Sequence, residues 1–399
     1  MTGTQHCTIV PGYLLRRLAR TEPDLAPAVT FTLRDGEATR HRREIAATRW
    51  PQGHPPRPGD GTDPGERPWP GGPTVSGITL PPRLRDQPGQ RDVDDLEGGV
   101  VEEARAAVPD RRVHDCDHGT TLPGGLVRAE GDEPSSDPSV NEAFAGLGAT
   151  WEVLHRRYGR DSLDGSGMPL VASVHYARDY DNAFWDGQQM VFGDGDGVYF
   201  QRFTGSVDVI AHELAHGVTQ YTAGLTYVGQ PGALNESASD VWGAIVRQWV
   251  RGQTVEEADW LIGAELFTDR VQGVALRSMA APGTAYDDPR LGRDPQPAHM
   301  DDYVRLPHDA DNDNGGVHIN SGIPNKAFHL FATALGEHVW EVAGQVWFDT
   351  MTTRGLIPRD VDFAGFAGAT VRMAQDRYGE GSEVDRALRS AWSGVGIEL

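Results

Sequence analysis

Two histidines four residues apart flank a glutamate in the pentapeptide His212-Glu213-Leu214-Ala215-His216. At about 3.6 residues per turn, positions i and i+4 share one helical face, so a helix here aims both imidazoles at one point. A hydrolytic zinc site takes neutral imidazoles, a carboxylate and one open position for water. Glu213 then lies beside the metal without ligating it, as the general base that this motif implies in zinc peptidases. Downstream, Asn235-Glu236-Ser237-Ala238-Ser239-Asp240 offers Glu236 as the third ligand, with Asp240 at i+4 from it on the same face. The pentapeptide alone also arises by chance on polar helices, so the rest of the chain has to decide.

At 399 residues the chain exceeds the usual size of a single core, and two or three folded units are expected. Its net charge of −22 lies almost wholly beyond residue 110. An acidic surface repels nucleic acid and anionic membranes, and no basic patch with interleaved aromatics offsets it, so neither partner is expected. Two cysteines, Cys7 and Cys116, are too few for a disulfide framework. Arg16, Arg17 and Arg20 follow a short apolar stretch instead of preceding one, and no apolar run has membrane-spanning length; no ordinary signal peptide or transmembrane helix is expected.

Leu14, Leu15 and Leu18 fall in helical register, and residues 29–33, Val-Thr-Phe-Thr-Leu, predict a short strand before Asp35-Gly36. From Trp50 to about Gln90 the chain is crowded with Pro and Gly, which predicts a linker. Residues 170–176 and 189–193 predict strands, with a helix over 140–158. Beyond Ser206 the period is helical, most clearly at Val384, Ala387, Leu388, Ala391 and Trp392. The expected class is α+β: a mixed, β-rich half carrying the motif helix, 206–220, at its seam with a helical half.

Five strings agree in order and spacing with one family. They are Asp181-Asn182-Ala183-Phe184-Trp185, the stretch from His212 through Thr219, the stretch from Tyr221 to Tyr227, Asn235 through Asp240, and Asp313-Asn-Gly-Gly-Val-His318-Ile-Asn-Ser-Gly322. Over about residues 111–399 the chain resembles the thermolysin family of zinc peptidases, and its first residues, Cys7-Thr-Ile-Val-Pro-Gly-Tyr-Leu-Leu, resemble protealysin-type precursors. The resemblance implies a two-lobed fold divided into a short propeptide (1–50), a linker and maturation region (51–110), a β-rich lobe (111–225) and an α-helical lobe (226–399). It implies a neutral endopeptidase precursor that binds one Zn2+ through His212, His216 and Glu236. Glu213 would be the base, His318 and Tyr227 the donors to the developing oxyanion. Asp313 would orient His318, while Asp240 and the Asn235 backbone would orient the zinc-binding histidines. Asn182 and the Ala183 backbone resemble the edge on which a peptide is laid, and Arg277 the arginine that grips its carbonyl. Phe200, Phe203, Val209, Ile262 and Leu276 match the wall of the primed-side pocket, implying cleavage before a bulky apolar residue. Partners implied are peptide and protein substrates, the chain's own propeptide and a proteinaceous inhibitor, with the protein a secreted monomer.

A third histidine six residues after His216, which metzincins require, is replaced by Thr222. Asp208 and Asp259 match ligands of the thermolysin double Ca2+ site, but Arg247, Leu261 and Ala264 stand at other matching positions, so a guanidinium is expected in place of the ions. Asp309-Ala-Asp311-Asn-Asp313 resembles the start of a calcium loop, yet Asn320 stands where the closing Glu belongs; Asp194-Gly-Asp196-Gly197 reads equally well as a turn. Cys7 is a candidate thiolate ligand to the zinc, or a plain buried thiol. The alternative functions are an inactive peptide- or inhibitor-binding homologue and a non-peptidase zinc hydrolase.

Overall fold

The computed structural model describes residues 8–36 and 108–399. Cys7 and nearly all of the expected linker and maturation region lie outside them. From residue 8 a short extended stretch leads into helix α1 (Gly12–Thr21), which buries Leu14, Leu15 and Leu18 on one face. Residues 26–36 then form a second helix, α2, where the sequence predicts a strand. The β-branched residues there follow a helical period instead: Val29 donates to the Leu25 carbonyl, Thr32 Oγ1 to that of Ala28, and both Val29 and Thr32 are buried. Docking decides this, because tertiary burial overrides the intrinsic preference of Val and Thr for strands. Asp35, near the end of α2, accepts hydrogen bonds from the hydroxyls of Tyr176 and Tyr180 at 3.0 and 3.3 Å.

Five short strands build the sheet: β1 (Arg111–Asp115), β2 (Gly125–Ala129), β3 (Leu170–Val174), β4 (Ala183–Trp185) and β5 (Met190–Phe192). Their order is β2-β1-β3-β5-β4, with β1, β3 and β5 parallel and the two outer strands antiparallel to their neighbours. β4 is therefore an edge strand. Between β2 and β3 runs helix α3 (Pro138–Tyr158), capped by the Asp137 side chain, entered through Pro138 and closed by Gly159 at φ 63°.

Strand β3 stops at Val174, two residues short of the predicted run, because His175 takes a left-handed φ of 53°. Its ring lies between two carboxylates, Nδ1 2.9 Å from Asp194 and Nε2 2.7 Å from Asp137, and so ties the sheet end to the cap of α3. The Asp194 contact leads in raising His175 to about 9, against the opposing effect of partial burial. That value lies above the roughly 6.5 of an exposed imidazole, so the stabilisation is complete below about pH 6.5 and is lost as pH rises through about 9. His175→Asn, which tolerates the left-handed backbone, should therefore lower the melting temperature clearly at pH 6 and by much less at pH 10. An equal deficit at both pH values would disprove the charged triad.

Helix α4 (Val207–Tyr221) carries the pentapeptide, and α5 (Gly229–Arg251) packs along it. Two short antiparallel pairs, β6 (Leu261–Ile262) with β7 (Arg277–Ser278) and β8 (Asp287–Asp288) with β9 (Gly292–Arg293), precede α6 (Asp313–Asn320). Helices α7 (Gly322–Leu335), α8 (Val342–Thr352), α9 (Phe363–Tyr378) and α10 (Glu383–Ser393) complete the helical half. Four of the five predicted stripe residues of α10 are buried; Trp392 stacks on Trp347 of α8 at 5.8 Å, and Ala387 is half-buried. Among the described residues no helix is long and apolar enough to cross a membrane.

Candidate active site

One turn of α4 and one turn of α5 face each other across the seam. His212, Glu213 and His216 come from α4, Asn235, Glu236 and Asp240 from α5, and all six are buried. The two Nε2 atoms stand 3.1 Å apart, and the Glu236 carboxylate lies 3.5 Å from His212 Nε2 and 3.7 Å from His216 Nε2. His212 Nδ1 donates to Asp240 at 2.8 Å and His216 Nδ1 to the Asn235 side chain at 2.9 Å. The expectation named the Asn235 backbone; its side-chain oxygen makes this contact. Acceptors on both Nδ1 atoms put the protons there and turn both Nε2 lone pairs, with the carboxylate, towards a common point. Tetrahedral zinc with ligand bonds of about 2.0–2.2 Å requires ligand atoms roughly 3.4 Å apart. The residues therefore fit the metal, and among the described residues no other group of three or more His, Cys, Asp or Glu is arranged to hold one.

Asp240 does more than orient His212. Its other contacts are with Arg277, through Nε at 2.9 Å and Nη2 at 2.8 Å, and with Asn325 Nδ2 at 2.8 Å. Burial would raise this carboxyl, but Arg277 and His212 outweigh it and hold it well below the usual carboxylate range. Asn325 lies outside every motif read in the sequence, and only the packing of α7 against α5 brings it here.

The third part arrives from α6. Asp313, Asn314, Gly315 and Gly316 all take positive φ, a tight left-handed turn that two glycines make affordable. The turn lets one Asp313 carboxylate accept both the His318 N–H, at 2.9 Å, and His318 Nδ1, at 2.6 Å. His318 Nε2 then faces Tyr227, whose hydroxyl is 3.3 Å away and also hydrogen-bonds Glu236. Burial disfavours a charged His318, but Glu236 and Asp313 prevail and raise it to about 9. On the opposite side, Glu213 Oε2 accepts the Trp185 N–H of β4 at 3.0 Å.

A family model described as the thermolysin metallopeptidase catalytic domain matches residues 106–220, and one for the thermolysin metallopeptidase alpha-helical domain matches 223–397. The chain belongs to the thermolysin family of metallopeptidases. An extracellular metalloprotease of Pectobacterium carotovorum subsp. carotovorum is 52% identical over 298 residues, 75% of this chain and 84% of its own length. Protease PrtS of Photorhabdus sp. (strain Az29) is 49% identical, over 72% of this chain and 76% of its own. Among solved structures, the precursor of protealysin, a metalloproteinase from Serratia proteamaculans, superposes with a TM-score of 0.71 at 52% identity, covering 74% of this chain and 90% of that one. This chain is accordingly a metalloendopeptidase precursor with the two-lobed fold of its family.

In this metallopeptidase the cleft is filled by its own N-terminal residues. Ile9 donates its N–H to the Ala183 carbonyl of edge strand β4 at 3.3 Å. Val10 and the Asn182 side chain exchange two hydrogen bonds, N–H to Oδ1 at 3.0 Å and Nδ2 to the Val10 carbonyl at 3.1 Å. Arg277 Nη1 donates to the Ile9 carbonyl at 3.2 Å, and His318 Nε2 to that of Thr8, also at 3.2 Å. Ile9 and Val10 are fully buried, and the predicted pocket residues Phe200, Phe203, Val209, Ile262 and Leu276 are buried as well. Residues 8–10 belong to the string that resembles protealysin-type precursors, but the sequence does not tell how they contact the cleft.

Two suspected metal loops are turns. Asp196 Oδ1 accepts from the N–H groups of Val198, Tyr199 and Phe200, and Asp309 caps the turn at residues 310–312. Of the residues that the resemblance matches to calcium ligands, Arg247 reaches Asp208 at 3.2 Å and Asp259 at 2.9 Å, and it also meets Glu265 at 3.1 Å, a residue outside that match.

Proposed function

We propose that the chain is the latent form of a zinc-dependent endopeptidase that cuts before bulky apolar residues and is held shut by its own residues 1–50. The reading rests on the backbone of residues 8–10, laid along the β4 edge with its carbonyls on His318, Arg277 and Asn182 as a peptide substrate would lie. His212, His216 and Glu236 would hold the metal, and zinc when bound supplies a Lewis acid that makes water acidic near neutral pH. Glu213, steered by the Trp185 N–H, takes a proton from the attacking water and passes it to the leaving amine. His318 and Tyr227 donate to the oxygen of the attacked carbonyl, where pre-aimed donors are worth most. Asp313, Asp240 and Asn235 keep the three imidazoles oriented. Ile9, buried with its N–H on the Ala183 carbonyl and its carbonyl on Arg277, stands for the apolar residue after the cut.

The contacts from Asn182 and Arg277 to a peptide backbone favour this reading over a small-molecule zinc hydrolase. Secretion and action on protein substrates are proposed from the Pectobacterium relative, an extracellular metalloprotease. The test is incubation with a peptide library after removal of residues 1–50, with and without a zinc chelator, followed by sequencing of the new ends. Absence of chelator-sensitive cuts before apolar residues would overturn it.

The Arg247 network is proposed to take the place of the two calcium ions. Millimolar calcium should leave the melting temperature of the zinc-loaded protein unchanged. Arg247→Ala should cost about 3 kcal/mol in urea unfolding, because Asp208 is fully buried while Asp259 and Glu265 keep solvent contact. Two calcium ions found by titration near Asp208 would refute the substitution.

A further inference from the structure

Five consecutive backbone polar groups, from the Thr8 carbonyl to the Val10 carbonyl, each have a partner in the cleft. In order these are His318 Nε2 (3.2 Å), the Ala183 carbonyl (3.3 Å), Arg277 Nη1 (3.2 Å), Asn182 Oδ1 (3.0 Å) and Asn182 Nδ2 (3.1 Å). A slip of one residue would turn the buried Ile9 and Val10 side chains to opposite faces, and in one direction it would set Pro11, which has no N–H, against Asn182 Oδ1, so the register is fixed. In this register one peptide bond has its carbonyl on His318, and that ring lies 3.3 Å from the Tyr227 hydroxyl and 3.5 Å from Glu236. The next carbonyl, of Ile9, is already beside Arg277, away from the metal-ligating cluster.

From this geometry we infer that the peptide bond between Thr8 and Ile9 is a self-cleavage site of the zinc-loaded precursor, cut in place without releasing the inhibitory segment. The inference rests on the peptidase reading above. Water adds across the bond: its oxygen joins the Thr8 carbonyl carbon as a carboxylate, the C–N bond breaks, and both of its protons go to the leaving amine of Ile9, which departs as an ammonium. Thr8 then ends in a carboxylate beside His318, no longer joined to Ile9. Ile9 and Val10 keep their carbonyl and amide contacts to Arg277 and Asn182, and α1 keeps Leu14, Leu15 and Leu18 buried. Arg16 also remains bonded to the Asp311 carbonyl at 2.8 Å, and Thr21 to that of Arg290. The cut chain is thus its own product complex, still latent, and unblocking the cleft needs a separate event.

Two measurements on the full chain test this. In the first, zinc is added to the wild type and to Glu213→Ala, and the N-termini are read by mass spectrometry and sequencing. The expected result is a new terminus at Ile9 in the wild type, at a rate independent of protein concentration, with an intact variant and with hydrolysis of an added peptide still blocked in the cut chain. In the second, hydrogen exchange is followed in the zinc-free Glu213→Ala chain. The Ile9 and Val10 amides should both be protected, and a further Asn182→Ala change should release Val10 while sparing Ile9. An intact bond in a zinc-loaded chain that cuts added peptide once residues 1–50 are removed would overturn the inference and leave the peptidase reading standing. Failure to cut either would overturn both, and rapid exchange at both amides would refute the register.

Discussion

Glu213→Gln is expected to lower kcat on a peptide substrate by roughly 10²–10⁴-fold, the range for loss of a positioned general base, with little change in KM. The amide fills the same volume and its oxygen can still accept the Trp185 N–H that now meets Glu213 Oε2 at 3.0 Å. It cannot take a proton from water. Because His212, His216 and Glu236 are untouched, zinc content should remain one per chain, and the melting temperature should move little. Kinetics on protein freed of residues 1–50, alongside metal analysis, decide the matter. Activity within tenfold of wild type at full zinc occupancy would remove Glu213 from the role of base.

Asp240→Asn carries the second large effect, and it acts on two properties together. The carboxylate lies between His212 Nδ1 at 2.8 Å, Arg277 at 2.8 and 2.9 Å, and Asn325 at 2.8 Å, all buried. Loss of its charge weakens the hold on the His212 ring, and changes in such supporting partners typically cost 10–100-fold in metal affinity. It also leaves the Arg277 guanidinium buried without its ion pair, a loss of roughly 3–5 kcal/mol. Zinc affinity by chelator competition should fall in that range, and urea unfolding of the zinc-free protein should show the stability loss separately. A variant binding zinc within threefold of wild type would show that His212 is oriented by its helix alone.

The zinc-binding half of the site was legible because helix geometry is local. The spacing of His212 and His216 and that of Glu236 and Asp240 each predict a shared face, and both pairs lie on helices, α4 and α5. His318 and Asp313 were legible only through the family resemblance, and the structure supplies the reason the string works: a short turn with two glycines keeps a carboxylate within reach of a ring five residues on. Residues 29–33 failed as a strand because Val and Thr report a preference that docking of α2 overrode. Asn325, Glu265 and residues 8–10 carried no periodic or spacing signal at all. Asn325 and residues 8–10 reach the site across long sequence separations, 85 residues between Asn325 and Asp240 and 172 between Val10 and Asn182, while Glu265 meets Arg247 from 18 residues away.

By itself the sequence determined the chemistry on offer: two imidazoles and a base on one helical turn and a carboxylate on the next helix, with the family resemblance adding a histidine paired with an aspartate and an arginine among the residues matched to calcium ligands. Tertiary structure alone decided what those groups face. It set Asp240 between His212 and Arg277, and it laid residues 8–10 along the β4 edge with the Thr8 carbonyl on His318. Spacing within one helix is fixed by the backbone, whereas contacts between distant segments follow from which surfaces bury each other, and no local pattern records that.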